Sequence, residues 1–122
     1  MLTRRVLSTL VAATAVIALA FALSACAATK PALVPSDVGV EPVVTVYVAD
    51  NRYEPSQVEI KAGQAVRWQF VGAMEHDVVA VDGSFVSELQ TTGEYIHVFD
   101  EVGEYGYDCS IHPEMIGMVT VR

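Results

Sequence analysis

Sulfur, imidazole and positive charge are all scarce in this chain. Two cysteines cannot build a multi-disulfide framework, and three histidines leave little material for a metal cluster unless the fold gathers them. Seven Lys and Arg against fifteen Asp and Glu give a formal charge of -8, the wrong sign for binding a polyanion, so a nucleic-acid partner is excluded. No glycine-rich phosphate loop and no Gly-x-Ser-x-Gly pattern is present, which removes the common nucleotide-binding and hydrolase signatures. Internal repeats are absent. Beyond the first quarter of the chain no stretch sustains a helical period.

What is present begins with a leader. Arg4 and Arg5 precede an apolar run from Val6 to Leu23, and the run ends in Leu23-Ser24-Ala25-Cys26. A basic start, an apolar middle and small residues at the end read as a secretory signal over residues 1–25. The ending resembles the lipobox of bacterial lipoproteins, which implies that Cys26 is lipidated and anchors the mature chain to the outer face of a bacterial membrane, in the cell envelope or periplasm. An ordinary signal peptide cut nearby and an uncleaved membrane helix are the alternatives. Thr3-Arg4-Arg5 faintly resembles a twin-arginine signal, so export by Sec or Tat stays open. Losing Arg4 and Arg5 with the leader moves the formal charge from -8 to about -10, an acidic surface that keeps a small exported domain in solution.

With Cys26 assigned to lipid, Cys109 is the one thiol left and the mature domain can form no internal disulfide. An unpaired thiol in an oxidising compartment is a liability, so its presence asks for a chemical reason. Residues 26–42 carry Pro31, Pro35 and Pro42 without aromatic side chains or periodicity, and read as the lipidated N-terminus and a flexible linker. The folded unit is then residues 43–122, small enough to gain from a staple such as a bound metal.

Apolar residues in that unit alternate with period two. Val44, Val46 and Val48 share a face, as do Val58 and Ile60, and Val66, Trp68 and Phe70. Further runs follow at DVVAV, YIHVFD, EYGYDC and IGMVTV, separated by turn residues such as Ala62-Gly63, Asp82-Gly83 and Thr92-Gly93. Short strands at this spacing predict an all-β sandwich or barrel of about seven or eight strands in Greek-key order.

The chemistry concentrates in YGYDCSIHPEMIGMVTV, Tyr105 to Val121. Cys109 ends a strand, His112 follows three positions later and Met115 three after that, so one tight loop closing at Met115 can present a thiolate, an imidazole and a thioether to one point. A second imidazole must come from elsewhere, and His76 at the entry to DVVAV is well placed, because loops at one end of a sandwich cluster. Structural zinc prefers a closed tetrahedron of stronger donors. Two imidazoles, a thiolate and a weak thioether instead make the donor set of blue copper electron-transfer sites, so copper is the expected metal. Met118 competes with Met115 for the thioether role but falls within a strand pattern. Met74 reads as a loop or packing residue and His97, in YIHVF, as structural or exposed.

These residues bring a family into view. Tyr53-x-Pro55, Val58-x-Ile60, Gly63, Val66-x-Trp68, His76-x-Val78 and Gly103-x-Tyr105-x-Tyr107-x-Cys109-x-x-His112-x-x-Met115 resemble the cupredoxins of the plastocyanin, amicyanin and pseudoazurin group, and the short gap between His112 and Met115 is similar to the amicyanin ligand loop. The resemblance implies a type 1 copper site with His76, Cys109 and His112 equatorial and Met115 axial. It implies a monomeric carrier that passes single electrons between redox protein partners in the envelope through the edge of His112, and not an enzyme. A copper-binding protein for storage, delivery or resistance is the alternative function. One departure concerns position 70, where the family pattern implies an asparagine tying the histidine loop to the cysteine loop and this chain has Phe70. Glu75, Asp77, Asp108 and Glu114 flank the candidate ligands, and their charge is expected to favour Cu(II).

Overall fold

The computed structural model describes residues 29–122; the leader over residues 1–25 and Cys26 lie outside them. Among the described residues eight strands form two four-stranded sheets: β1 (Val44–Ala49), β2 (Arg52–Glu54), β3 (Gln57–Ile60), β4 (Gln64–Phe70), β5 (Val79–Ala80), β6 (Gly93–Phe99), β7 (Gly103–Cys109) and β8 (His112–Val121). One sheet runs β2-β1-β4-β6 and the other β3-β8-β7-β5. The all-β expectation holds, and no helix occurs among the described residues. β1 pairs with β4, and β3 with β8, in parallel; the remaining neighbours are antiparallel.

Alternation decides which side chains meet between the sheets. On β4, Val66, Trp68 and Phe70 are buried while Arg67 and Gln69 are half-exposed. Tyr107 and Cys109 on β7, and Met115, Val119 and Val121 on β8, form the facing inner rows. Trp68 lies at the centre, stacked on Phe85 at a centroid distance of 5.2 Å and edge-on to Tyr107 at 5.4 Å. Offset and edge contacts of this kind add to the apolar burial of the rings.

His97 is structural. Its ring packs against Phe99 at 4.8 Å and Phe85 at 5.2 Å, and Asp37 Oδ2 stands 3.6 Å from Nδ1, too far for a hydrogen bond. Burial pushes its pKa below the ordinary histidine value, with Asp37, Asp100 and Asp82 pulling the other way. The folded state therefore favours the neutral ring. Above about pH 6.5 the ring is neutral folded or unfolded and no stability is lost; as pH falls below that, the unfolded chain takes the proton first and stability drops. Thermal unfolding should thus shift down between about pH 7 and pH 5, and His97→Leu should shrink the shift. An identical pH dependence in the two proteins would overturn this account.

The flexible-linker reading of residues 26–42 is corrected for its described part. Val34 N–H donates to Val86 O at 2.9 Å, Asp37 N–H to Ile96 O at 2.9 Å, and Asp37 Oδ2 accepts from Val98 N–H at 2.8 Å. Ser36 Oγ accepts from Ile96 N–H at 2.9 Å. This arm thereby satisfies backbone groups of β6, an edge strand of its sheet, which would otherwise be left open. A proline-rich composition predicts extended backbone correctly, yet extended backbone can dock as well as dangle.

Candidate metal centre

At one end of the sandwich β7 and β8 are joined by the two-residue turn Ser110-Ile111, with Cys109 and His112 paired across it and an irregularity in register at Asp108/Cys109. Cys109 pairs with His112 but Asp108 pairs with Ile116, so residues 113–115 are extra on β8, the regular ladder resumes at Ile116, and the expected loop closes at Met115. His76 arrives from the β4–β5 connection. Its backbone is pinned on both sides, His76 N–H to Gln90 O at 3.1 Å and Gln90 N–H to His76 O at 2.9 Å.

These elements converge three donors. Cys109 Sγ lies 3.9 Å from His76 Nδ1 and 3.8 Å from His112 Nδ1, and the three ligand atoms all lie within 4.8 Å of one another. An imidazole nitrogen and a thiolate bound at about 2.0 and 2.3 Å to one ion in a trigonal plane would be about 3.7 Å apart, so the donors fit a common metal with little movement. Cys109 and His76 are buried, whereas His112 is partly exposed. Strand parity separates the methionines. Met115 is 1% exposed on the inward row with Val119 and Val121, and Met118 belongs to the opposite face with Ile116.

Hydrogen bonds fix the orientation of the ligands. His76 Nε2 stands 3.0 Å from Asp50 Oδ1; a carboxylate only accepts, so Nε2 carries the proton and Nδ1 keeps its lone pair toward Cys109. Asp50 occupies the β1–β2 turn, where Asn51 takes a left-handed φ of 63°, and it also accepts from Ala73 N–H and Met74 N–H at 3.1 Å. Those bonds, the one to His76 foremost, hold its carboxyl below the usual carboxylate range. Burial pushes the Cys109 thiol up, against backbone hydrogen bonds from Asp77, Ile111 and His112. A bound cation would supply the charge needed to hold the thiolate.

The tie between the histidine and cysteine segments that the resemblance places at position 70 comes instead from Asp77. Phe70 is core, 3% exposed. Asp77 Oδ1 accepts from Ser110 N–H at 2.7 Å and Oδ2 from Ser110 Oγ at 2.6 Å, joining the residue after His76 to the residue after Cys109. Tyr53 Oη donates to Asp77 O at 2.6 Å, which steadies the same loop from β2. Burial alone would raise the Asp77 pKa, but the hydrogen bonds from Lys30 and Ser110 outweigh it and hold the carboxyl low. The sequence pattern includes Tyr53, in Tyr53-x-Pro55, but not Asp50, Lys30 or Ser110. Asp50-Asn51 after a strand-like run signals a turn, and nothing in the sequence marks Lys30.

Comparison with known proteins agrees with this geometry. Residues 13–121 match the family model of the cupredoxin-like domain. An amicyanin from Paracoccus versutus is 35% identical over 85 residues, covering 65% of this chain and 64% of that protein. A purple cupredoxin from Nitrosopumilus maritimus superposes with a TM-score of 0.60 at 30% identity, covering 65% of this chain and 99% of that one. A Cu(I) amicyanin variant gives 0.59 at 30% identity over 64% of this chain and 80% of that one. With its two sheets, its convergent sulfur and imidazole donors and a family match spanning most of its length, this chain belongs to the cupredoxin-like domain family.

Proposed function

We propose that this protein is a blue copper electron carrier whose ion is held by His76, Cys109 and His112, with Met115 as the weak axial donor. The observation that carries the reading is the convergence of Cys109 Sγ with two imidazole Nδ1 atoms at 3.8 and 3.9 Å at a buried thiol. A thiolate, two imidazoles and a thioether supply a soft, trigonal environment suited to one copper ion cycling between Cu(I) and Cu(II).

The chain's own part is to hold the donors still. Asp50 fixes the tautomer and orientation of His76, leaving Nδ1 as the nitrogen offered to the ion. Ser110 and Asp77 keep the two ligand-bearing segments together through both oxidation states. His112 is the donor open to solvent, and Ile111 and Met74, 47% and 49% exposed, give the ligand loops apolar surface for transient contact with a redox protein. The leader and Cys26 support lipid anchoring at a bacterial envelope membrane, which would confine exchange to partners at that surface.

Loading the purified full chain with Cu(II) should give an intense blue colour that disappears on reduction and returns on oxidation without loss of metal. A colourless Cu(II) complex would sink the blue-copper assignment. Release of copper to a chelator on each reduction would instead support delivery of the metal as cargo.

A further inference from the structure

Asp77 is 0% exposed and sits between the two ligand-bearing segments, so its charge must be compensated inside the protein. Ser110 offers two hydrogen bonds but no positive charge. The charge comes from outside the β-sandwich: Lys30 Nζ, on the N-terminal arm, donates to Asp77 Oδ2 at 2.6 Å and to Ser87 O at 2.8 Å. The lysine side chain is itself 26% exposed, reaching inward from an arm that Val34, Ser36 and Asp37 fasten to the sandwich. Thr29, Lys30 and Pro31 form one wall of a groove completed by Val79, Cys109 and Ser110, so the arm also flanks the segment bearing the thiol.

We propose that the N-terminal arm is a working part of the metal centre, and that Lys30 is a positioning residue acting through Asp77 on His76 and Cys109. Asp77 can join the two segments as an ion only while Lys30 is docked. Undocking strands a buried carboxylate, which then draws in water or swings out, and either response separates residue 77 from Ser110 and loosens the ligand set. Arm docking, copper retention and redox behaviour are thereby coupled. The effect on copper rests on the blue-copper reading; the effect on the metal-free fold does not.

The test is a double-mutant cycle on the full chain with Lys30→Met and Asp77→Asn, read first without metal. Lys30→Met alone should lower the thermal midpoint by about 8 °C or more, because it leaves a buried charge unpaired. In the Asp77→Asn background, where no charge needs pairing and the amide can still accept from Ser110, the same lysine change should cost much less. Lys30→Arg, which keeps the charge, should restore most of the loss. Equal effects of Lys30→Met in both backgrounds would overturn the proposal. Should Lys30→Met fail to fold, the same comparison is made by the folding of the double variant: recovery on adding Asp77→Asn supports the proposal and no recovery refutes it.

With copper bound, two readouts separate positioning from bulk stability. Lys30→Met should speed copper loss to a chelator about tenfold, again only when Asp77 is present. The reduction potential should fall when the cation is removed and rise when the carboxylate is removed, since negative charge near the ion favours Cu(II). Shifts of the same sign would refute the charge-pair mechanism. A wild-type chain that binds no copper would defeat the functional reading while leaving the metal-free cycle to judge the latch.

Discussion

Replacing Cys109 by serine should abolish the blue colour and weaken copper retention by more than about 100-fold. The thiolate is the one anionic donor of the set, and it is 0% exposed, so no water or surface carboxylate can take its place without opening the core. A serine hydroxyl stays protonated and is a hard donor, which suits neither oxidation state of copper. The variant should still fold, because the oxygen is smaller than the sulfur and backbone groups of Asp77, Ile111 and His112 remain around it. Absorption and chelator competition on a variant with a normal far-ultraviolet spectrum measure both effects. A blue complex in Cys109→Ser would remove Cys109 from the centre. Met115→Leu should by contrast keep the colour and raise the potential, since the lost axial donor helps Cu(II) more than Cu(I), while Met118→Leu should change little.

The second large effect belongs to the fold. Gly117 on β8 lies opposite Tyr107 on β7, and a Cβ at position 117 would run into the Tyr107 ring atoms Cζ, Oη and Cε2. That ring cannot retreat: it is 2% exposed, with Tyr53 edge-on at 4.7 Å and Trp68 at 5.4 Å. Gly117→Ala should therefore cost about 3 kcal/mol and lower the melting temperature of the metal-free protein by roughly 12–24 °C. Adding Tyr107→Leu should recover part of the loss, because the collision goes with the ring. Fully additive losses would show that the glycine matters for some other reason.

The parts of this molecule that could be read from the sequence are those written in repeated or rare residue types. Valines and aromatics at alternate positions announce β1, β4 and β6, since half-buried strands must alternate. His76, Cys109 and His112 stand out because a chain so poor in imidazole and thiol places two of them three residues apart. β2 escaped notice: it is three residues long and only Tyr53 within it is buried. The docking of the arm is illegible for a different reason. Its attachment is made by backbone groups and by single side chains such as Lys30 and Asp37, and one-off polar contacts leave no periodic trace. The tie expected at position 70 is likewise made by one-off polar contacts, from Asp77 beside the histidine itself. Charge flanking a ligand was visible in the sequence; that a distant lysine neutralises it was not.

The pairing of β8 has a bearing on the order of events during folding. β8 carries His112 and Met115, and its two neighbours are β7, immediately before it, and β3, about 60 residues earlier. The parallel contact with β3 closes a long loop, a slow and entropically costly step that local contacts cannot replace. Two of the four proposed donors thus ride on a strand inserted between partners distant in the chain. The donor-bearing end of β8, His112 to Met115, is held by the neighbouring β7, while its far end, Met118 to Val121, is the part tied to β3, so one strand links a local metal loop to the longest-range pairing of the fold.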